Sequence, residues 1–150
     1  MAQTVGGEPK MEVARRAALD FLATVPPDVE VGLVVFGHRG SPRNEGRAAS
    51  CAGVEPLAAL GAPRERVAEA IRGLRPNGWT PLAAAITRAG ALFPPSDVAG
   101  EQVLLIVSDG VETCGGDPVA AARAMHGGPT RLVVNIVGFD VPPRERAALE

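Results

Sequence analysis

Apolar residues recur every three or four positions at Met11, Ala14, Ala18, Leu22 and Val25. That spacing predicts a helix over 9–25, with Pro9 suited to its first turn. The period then changes. "VEVGLVVFG" (29–37) is a short β-branched run, the mark of a buried strand. Residues 38–52 read as a long polar loop. "GVEPLAAL" (53–60) reads as a weaker strand, which Pro56 confines to a sheet edge. Helical spacing returns over 63–74, on Val67, Ala70, Ile71 and Leu74, and again over 80–93. "QVLLIV" (102–107) and "RLVVNIVG" (131–138) predict buried strands, with a helix over 117–125 between them. A last helix begins at 142–150.

Buried strands that alternate with helices define an α/β fold class. The expected architecture is a Rossmann-like, mostly parallel sheet with helices on both faces, in a single domain over 1–150. The chain opens on a helix whose apolar stripe needs a sheet, yet no strand comes before it. The first strand, usually central in a doubly wound fold, is therefore expected to be missing.

Composition narrows the function classes. Hydrophobic residues make up 46% of the 150, enough for a packed core, and the 3% aromatic content makes that core aliphatic. A net charge of -2 argues against a nucleic-acid partner. No apolar run reaches the roughly 18 residues of a membrane span, and the N-terminus lacks the features of a signal peptide. The chain thus reads as soluble and untargeted. Cys51 and Cys114 stand alone rather than in CxxC pairs, which argues against zinc and leaves one disulfide or two thiols.

The chemistry-bearing stretch is "VLLIVSDGVETCGGDP". Asp109 directly follows a buried strand, where ligands bind in open α/β sheets. It can equally be the turn-former of an Asp-Gly pair. Thr80, in "GWTPLAAAI", reads as a helix N-cap with Pro81 at the first helical position. Its hydroxyl, at the same sheet edge as Asp109, suits a hard cation such as Mg²⁺ or Mn²⁺. Asp117 before Pro118 reads as an N-cap, and Glu112 as a supporting or solvated carboxylate. His38 has no acidic partner in view and no Gly-x-Ser-x-Gly beside it, so a hydrolase triad lacks support. No Gly-x-Gly-x-x-Gly or P-loop accompanies the strands.

Taken together, "VGLVVFGHR", "GWTPLAAAI", "VLLIVSDGVETCGGDP" and "VVNIVGFD" resemble the von Willebrand factor type A (VWA) family, in its bacterial form. The resemblance implies a protein-binding module rather than an enzyme. It also implies a metal-ion-dependent adhesion site for Mg²⁺ or Mn²⁺, whose shell a protein ligand completes with an acidic residue. Thr80 and Asp109 match two of the site's side chains. The Asp-x-Ser-x-Ser loop that should supply the others does not occur. The resemblance begins at about Met1, just after where that loop would end, so a truncated domain is expected. Metal would then bind a complete parent and bind this chain weakly or not at all. The alternatives are a degenerate, metal-independent interaction module, a non-functional fragment, or a phosphoryl-transfer enzyme using Asp109. Cys51 and Cys114 sit on segments that can meet above the sheet. A bridge between them would imply an oxidising setting, with the parent extracytoplasmic or membrane-anchored.

Overall fold

The computed structural model describes residues 4–95 and 100–138. The chain is mixed α/β. The described elements are β1 (Thr4–Val5), β2 (Glu8–Pro9), α1 (Lys10–Thr24), β3 (Leu33–Val35), α2 (Arg47–Ala52), β4 (Glu55–Ala58), α3 (Arg64–Gly73), α4 (Leu82–Gly90), β5 (Val103–Ser108), α5 (Pro118–Gly127) and β6 (Val133–Gly138). Helices α1, α3, α4 and α5 fall where the apolar spacing places them. The helix expected at 142–150 lies outside the described residues.

The sheet differs from expectation. Instead of one mostly parallel sheet, the described strands form three separate pairs. β1 and β2 make a minimal hairpin around Gly6–Gly7, whose φ values of 58° and 85° suit a two-residue hairpin turn. β3 pairs antiparallel with β4, and the register slips between Leu33 and Val34, opposite Pro56. Only β5 and β6 are parallel, in unbroken register from Val103↔Val133 to Ser108↔Gly138, with α5 as the crossover. The physical reason lies in β3. Three residues give it a short ladder, and its neighbour β4 carries a proline that offers no N–H. Both β3 and β5 lie against α4 without pairing with each other.

Two apolar clusters hold these parts. Ala58, Val67 and Ile71 pack with Leu19, Leu22 and Leu33, joining α1 and α3 to the β3–β4 pair. Leu82, Ile86 and Ile106 pack with Leu104, Met125, Val134 and Ile136, joining α4 and α5 to the β5–β6 pair. Phe36 enters the second cluster just after β3, so α4 contacts both strand pairs. Arg64, at the start of α3, donates to the Leu22 carbonyl in the last turn of α1 and to the carbonyls of Val25, Pro26 and Val29 in the segment that follows it, which ties α3 to the end of α1. At the surface, Glu8 and Arg16 form a two-pronged pair, and the Arg16 hydrogen bond holds the Glu8 carboxyl below its ordinary range. That pair contributes above the unfolded-state value of Glu8 and is lost as pH falls through its lowered one. No described helix is long and apolar enough to cross a membrane.

Candidate functional site

Three loops converge where β3 and β5 end and α4 begins. The first runs from His38 through α2. It was expected to be wholly irregular, but Arg47–Ala52 is helical. Six residues are too few for a helix to stand alone in water, and side-chain anchors hold this one. Cys51 is disulfide-bonded to Cys114, with Cα atoms 5.6 Å apart. Arg47, one turn earlier on the same face, donates from Nη2 to the Thr113 carbonyl at 2.9 Å. Two successive turns of α2 are thus tied to two successive residues of the loop that leaves β5.

The second loop, 75–81, is fixed to the first. Asn77 donates from Nδ2 to the Gly40 carbonyl at 2.7 Å and from its backbone to Gly37 at 2.9 Å. The Trp79 backbone N–H donates to Ser50 Oγ at 2.6 Å, and Ser50 is fully buried. The indole N–H reaches the Arg43 carbonyl at 3.4 Å, and the Arg47 guanidinium lies 5.0 Å from the indole centroid.

Thr80 does not cap α4. Pro81 occupies the N-cap position, with a non-helical ψ of 66° and no side-chain hydrogen bond. The Thr80 backbone is engaged on both sides by Thr113. Its N–H donates to Thr113 Oγ1 at 2.7 Å, and its carbonyl accepts from the Thr113 N–H at 3.0 Å. Glu112 takes over the capping, since its Oε2 accepts from the Ala83 N–H at 2.9 Å and its Oε1 from the Cys114 N–H at 2.6 Å. A carboxylate at a helix N-terminus also meets the favourable end of the helix dipole. Glu112→Gln keeps one acceptor and turns an NH₂ group toward the other N–H. We expect a loss of about 1–3 kcal/mol in urea unfolding; a loss under ~0.5 kcal/mol would remove Glu112 from this role.

Asp109 tops a turn that Ser108 fastens. The buried Ser108 hydroxyl donates to the Gly110 carbonyl at 2.9 Å and accepts from the Gly110 N–H at 3.3 Å. The Asp109 carboxylate is 3.9 Å from Nζ of Lys10, the buried first residue of α1. The structure therefore brings the Thr80 junction and the loop running from Asp109 into direct contact, through Thr113 and Glu112. As a ligand set, however, one hydroxyl and one carboxylate that already faces an ammonium group do not fit a divalent cation. Such an ion wants six or more oxygens. Among the described residues no three His, Cys, Asp or Glu side chains stand together as metal ligands.

His38 does have an acidic partner: its Nε2 lies 3.1 Å from Glu55 Oε2 on β4, and Arg39 pairs with the other oxygen at 2.5 Å. The sequence hid this because Glu55 sits seventeen residues away in a strand assigned to an edge. Asp117 caps α5, accepting from the Ala120 N–H at 2.9 Å, with Pro118 at the first helical position.

The sequence is similar over 141 residues to two proteins of Bacillus subtilis (strain 168). The uncharacterized protein YwmD is 35% identical and the uncharacterized protein YwmC 31% identical. Each match takes in 93% of this chain but 63% and 61% of the relatives, so the chain spans less than two thirds of their length. No family model matches the sequence. No solved structure matches it either.

Proposed function

We propose that the chain is a VWA-type protein-binding module of Rossmann-like ancestry, whose recognition face is the cluster of loops 37–52, 75–81 and 109–117. The observation that carries this reading is the mutual fixing of the three loops. A disulfide, an arginine, a carboxylate and a threonine join segments far apart in sequence at one edge of the strands. A surface ordered before its partner arrives loses little entropy on binding. The parallel β5–α5–β6 unit supports the Rossmann-like part of the reading, since ligands of such folds meet the carboxyl ends of the strands.

A second reading is favoured by one contact. With Lys10 beside Asp109, an ammonium group already faces the carboxylate, and the module binds its partner without metal. One experiment addresses both. The chain is immobilised and exposed to extracts of the producing cells in Mg²⁺ and in EDTA. A partner retained in both conditions, lost with Thr80→Arg and Asp109→Ala, and kept with Glu65→Arg on α3, is the expected result. Capture unaffected by the loop variants overturns the recognition face. Capture abolished by EDTA overturns the metal-independent reading.

A further inference from the structure

The loop cluster contains a charged group that nothing in the adhesion-site reading uses. Arg47 is exposed, yet its guanidinium is fixed. It donates to the Thr113 carbonyl at 2.9 Å and lies over the only tryptophan of the chain, 5.0 Å from the ring centroid. The indole beneath it is itself held at its backbone by the buried Ser50 and at its ring N–H by the Arg43 carbonyl. The helix that carries Arg47 is anchored one turn later by the disulfide. A guanidinium offers five N–H donors in a rigid fork. Among the described residues one of Arg47's is engaged by a protein acceptor. The surrounding loop is basic in an otherwise acidic chain: residues 38–52 hold Arg39, Arg43 and Arg47 against Glu45, and with Arg39 paired to Glu55, Arg43 and Arg47 carry the local positive charge, while the whole chain carries -2.

We propose that Arg47 and Trp79 form the anchor point for an acidic segment of a protein partner. The guanidinium would receive a carboxylate and the indole an adjoining apolar side chain. This deepens the binding-module reading and rests on it for the identity of the face. It differs in naming an arginine, not a cation, as the group that recognises acid. Three features suit the pair to the task. A planar fork binds carboxylate through two parallel hydrogen bonds. An arginine whose head group is already held by a hydrogen bond and a ring contact loses less rotamer freedom on binding. Tryptophan and arginine are also the residues that most often dominate binding energy at protein interfaces.

The sole tryptophan provides the signal. Trp79 emission of the full, oxidised chain is titrated with a blocked acidic peptide, acetyl-Glu-Leu-Glu-Glu-Leu-Glu-amide. Parallel titrations use the Lys-for-Glu version, inorganic phosphate and a single-stranded oligonucleotide. The expected result is saturable change with the acidic peptide alone, weakening as NaCl rises from 50 to 300 mM. Binding should be about tenfold or more weaker in Arg47→Gln, and intermediate in Arg47→Lys, which keeps the charge but loses the fork. Arg43→Gln, which leaves the α2 clamp intact, should weaken binding less, through charge alone. It also keeps the test open if Arg47→Gln melts before it can be titrated. No saturable change with the acidic peptide overturns the proposal, as does equal affinity in Arg47→Gln, or preference for phosphate or the oligonucleotide. The two readings fail separately. A partner captured through Thr80 and Asp109, with no response to the peptide, leaves the module standing and removes this anchor. Peptide binding without any captured partner does the reverse.

Discussion

Replacing Cys51 and Cys114 together by serine is expected to lower the unfolding free energy by about 4 kcal/mol. The melting temperature should fall by roughly 10 °C. The size follows from loop length. The bridge joins residues 63 apart in sequence, and in the chain-entropy model such a crosslink denies the unfolded chain many of its conformations. The folded state should feel the loss locally. Without its crosslink α2 is six residues held by Arg47 and Ser50, too short to persist on its own propensity. Its fraying would release the Ser50 hydroxyl from Trp79, so native emission should shift before global unfolding begins. Urea denaturation followed by Trp79 fluorescence measures both effects, and the reduced wild-type protein should behave like the double variant. A stability difference under about 1 kcal/mol, or reduced and oxidised curves that coincide, would show that the bridge does not hold the loops. The bridge persists only in an oxidising compartment, which ties the stability of this loop cluster to where the protein resides.

Regular elements were legible in the sequence wherever a helical stripe or an unbroken apolar run extended over six or more residues. The stripe Val67–Ile71 in α3 and the run Val103–Ser108 in β5 are such cases, because burial on one face imposes the spacing directly. Short elements were not. β3 keeps three residues of a nine-residue apolar run, since strand length depends on a neighbour, and β4 offers Pro56 there. Helix α2 has no period to read; "RAASCA" is helical because Cys51, Ser50 and Arg47 each find a partner at least twenty-nine residues away. The hairpin at Gly6–Gly7 carries only a two-glycine turn as its signal, because two residues on each side are too few to show an alternation.

At the candidate site, sequence reasoning named segments that the structure brings into contact, and assigned some local roles to the wrong atoms. Thr80 was expected to cap α4 from within its own helix, whereas Glu112 caps it from twenty-nine residues further on. No local pattern encodes a cap delivered from another loop. Asp109 was located by its position after a strand, but its ion pair with Lys10 joins residues almost a hundred positions apart. The clearest local prediction, Asp117 with Pro118, depends only on neighbours and is seen in the structure.

Gly40→Ala should destabilise the chain by about 2–5 kcal/mol, and should do so by opening the loop cluster proposed as the recognition face. Two costs combine. Gly40 has φ +72°, in the left-handed region, where a Cβ costs about 1–2 kcal/mol. The added carbon would also stand 2.5 Å from the Gly46 carbonyl oxygen and 2.8 Å from the Ser50 nitrogen. Both are backbone atoms, so no rotamer change relieves the clash, and overpacking of this kind costs a further ~1–3 kcal/mol. The nearest escape is outward movement of residues 38–46, which would strain the Asn77 bond to the Gly40 carbonyl and the Trp79 bond to Arg43. Gly115→Ala separates the two costs. Gly115 also has a left-handed φ, of 92°, but an added Cβ there meets nothing within 4 Å. It should lose only the first ~1–2 kcal/mol and keep its response to the acidic peptide. Gly40→Ala should lose more stability and most of that response. Equal losses for the two variants in urea unfolding would show that loops 38–46 and 75–81 can part at little cost. The face would then not be held ready for a partner.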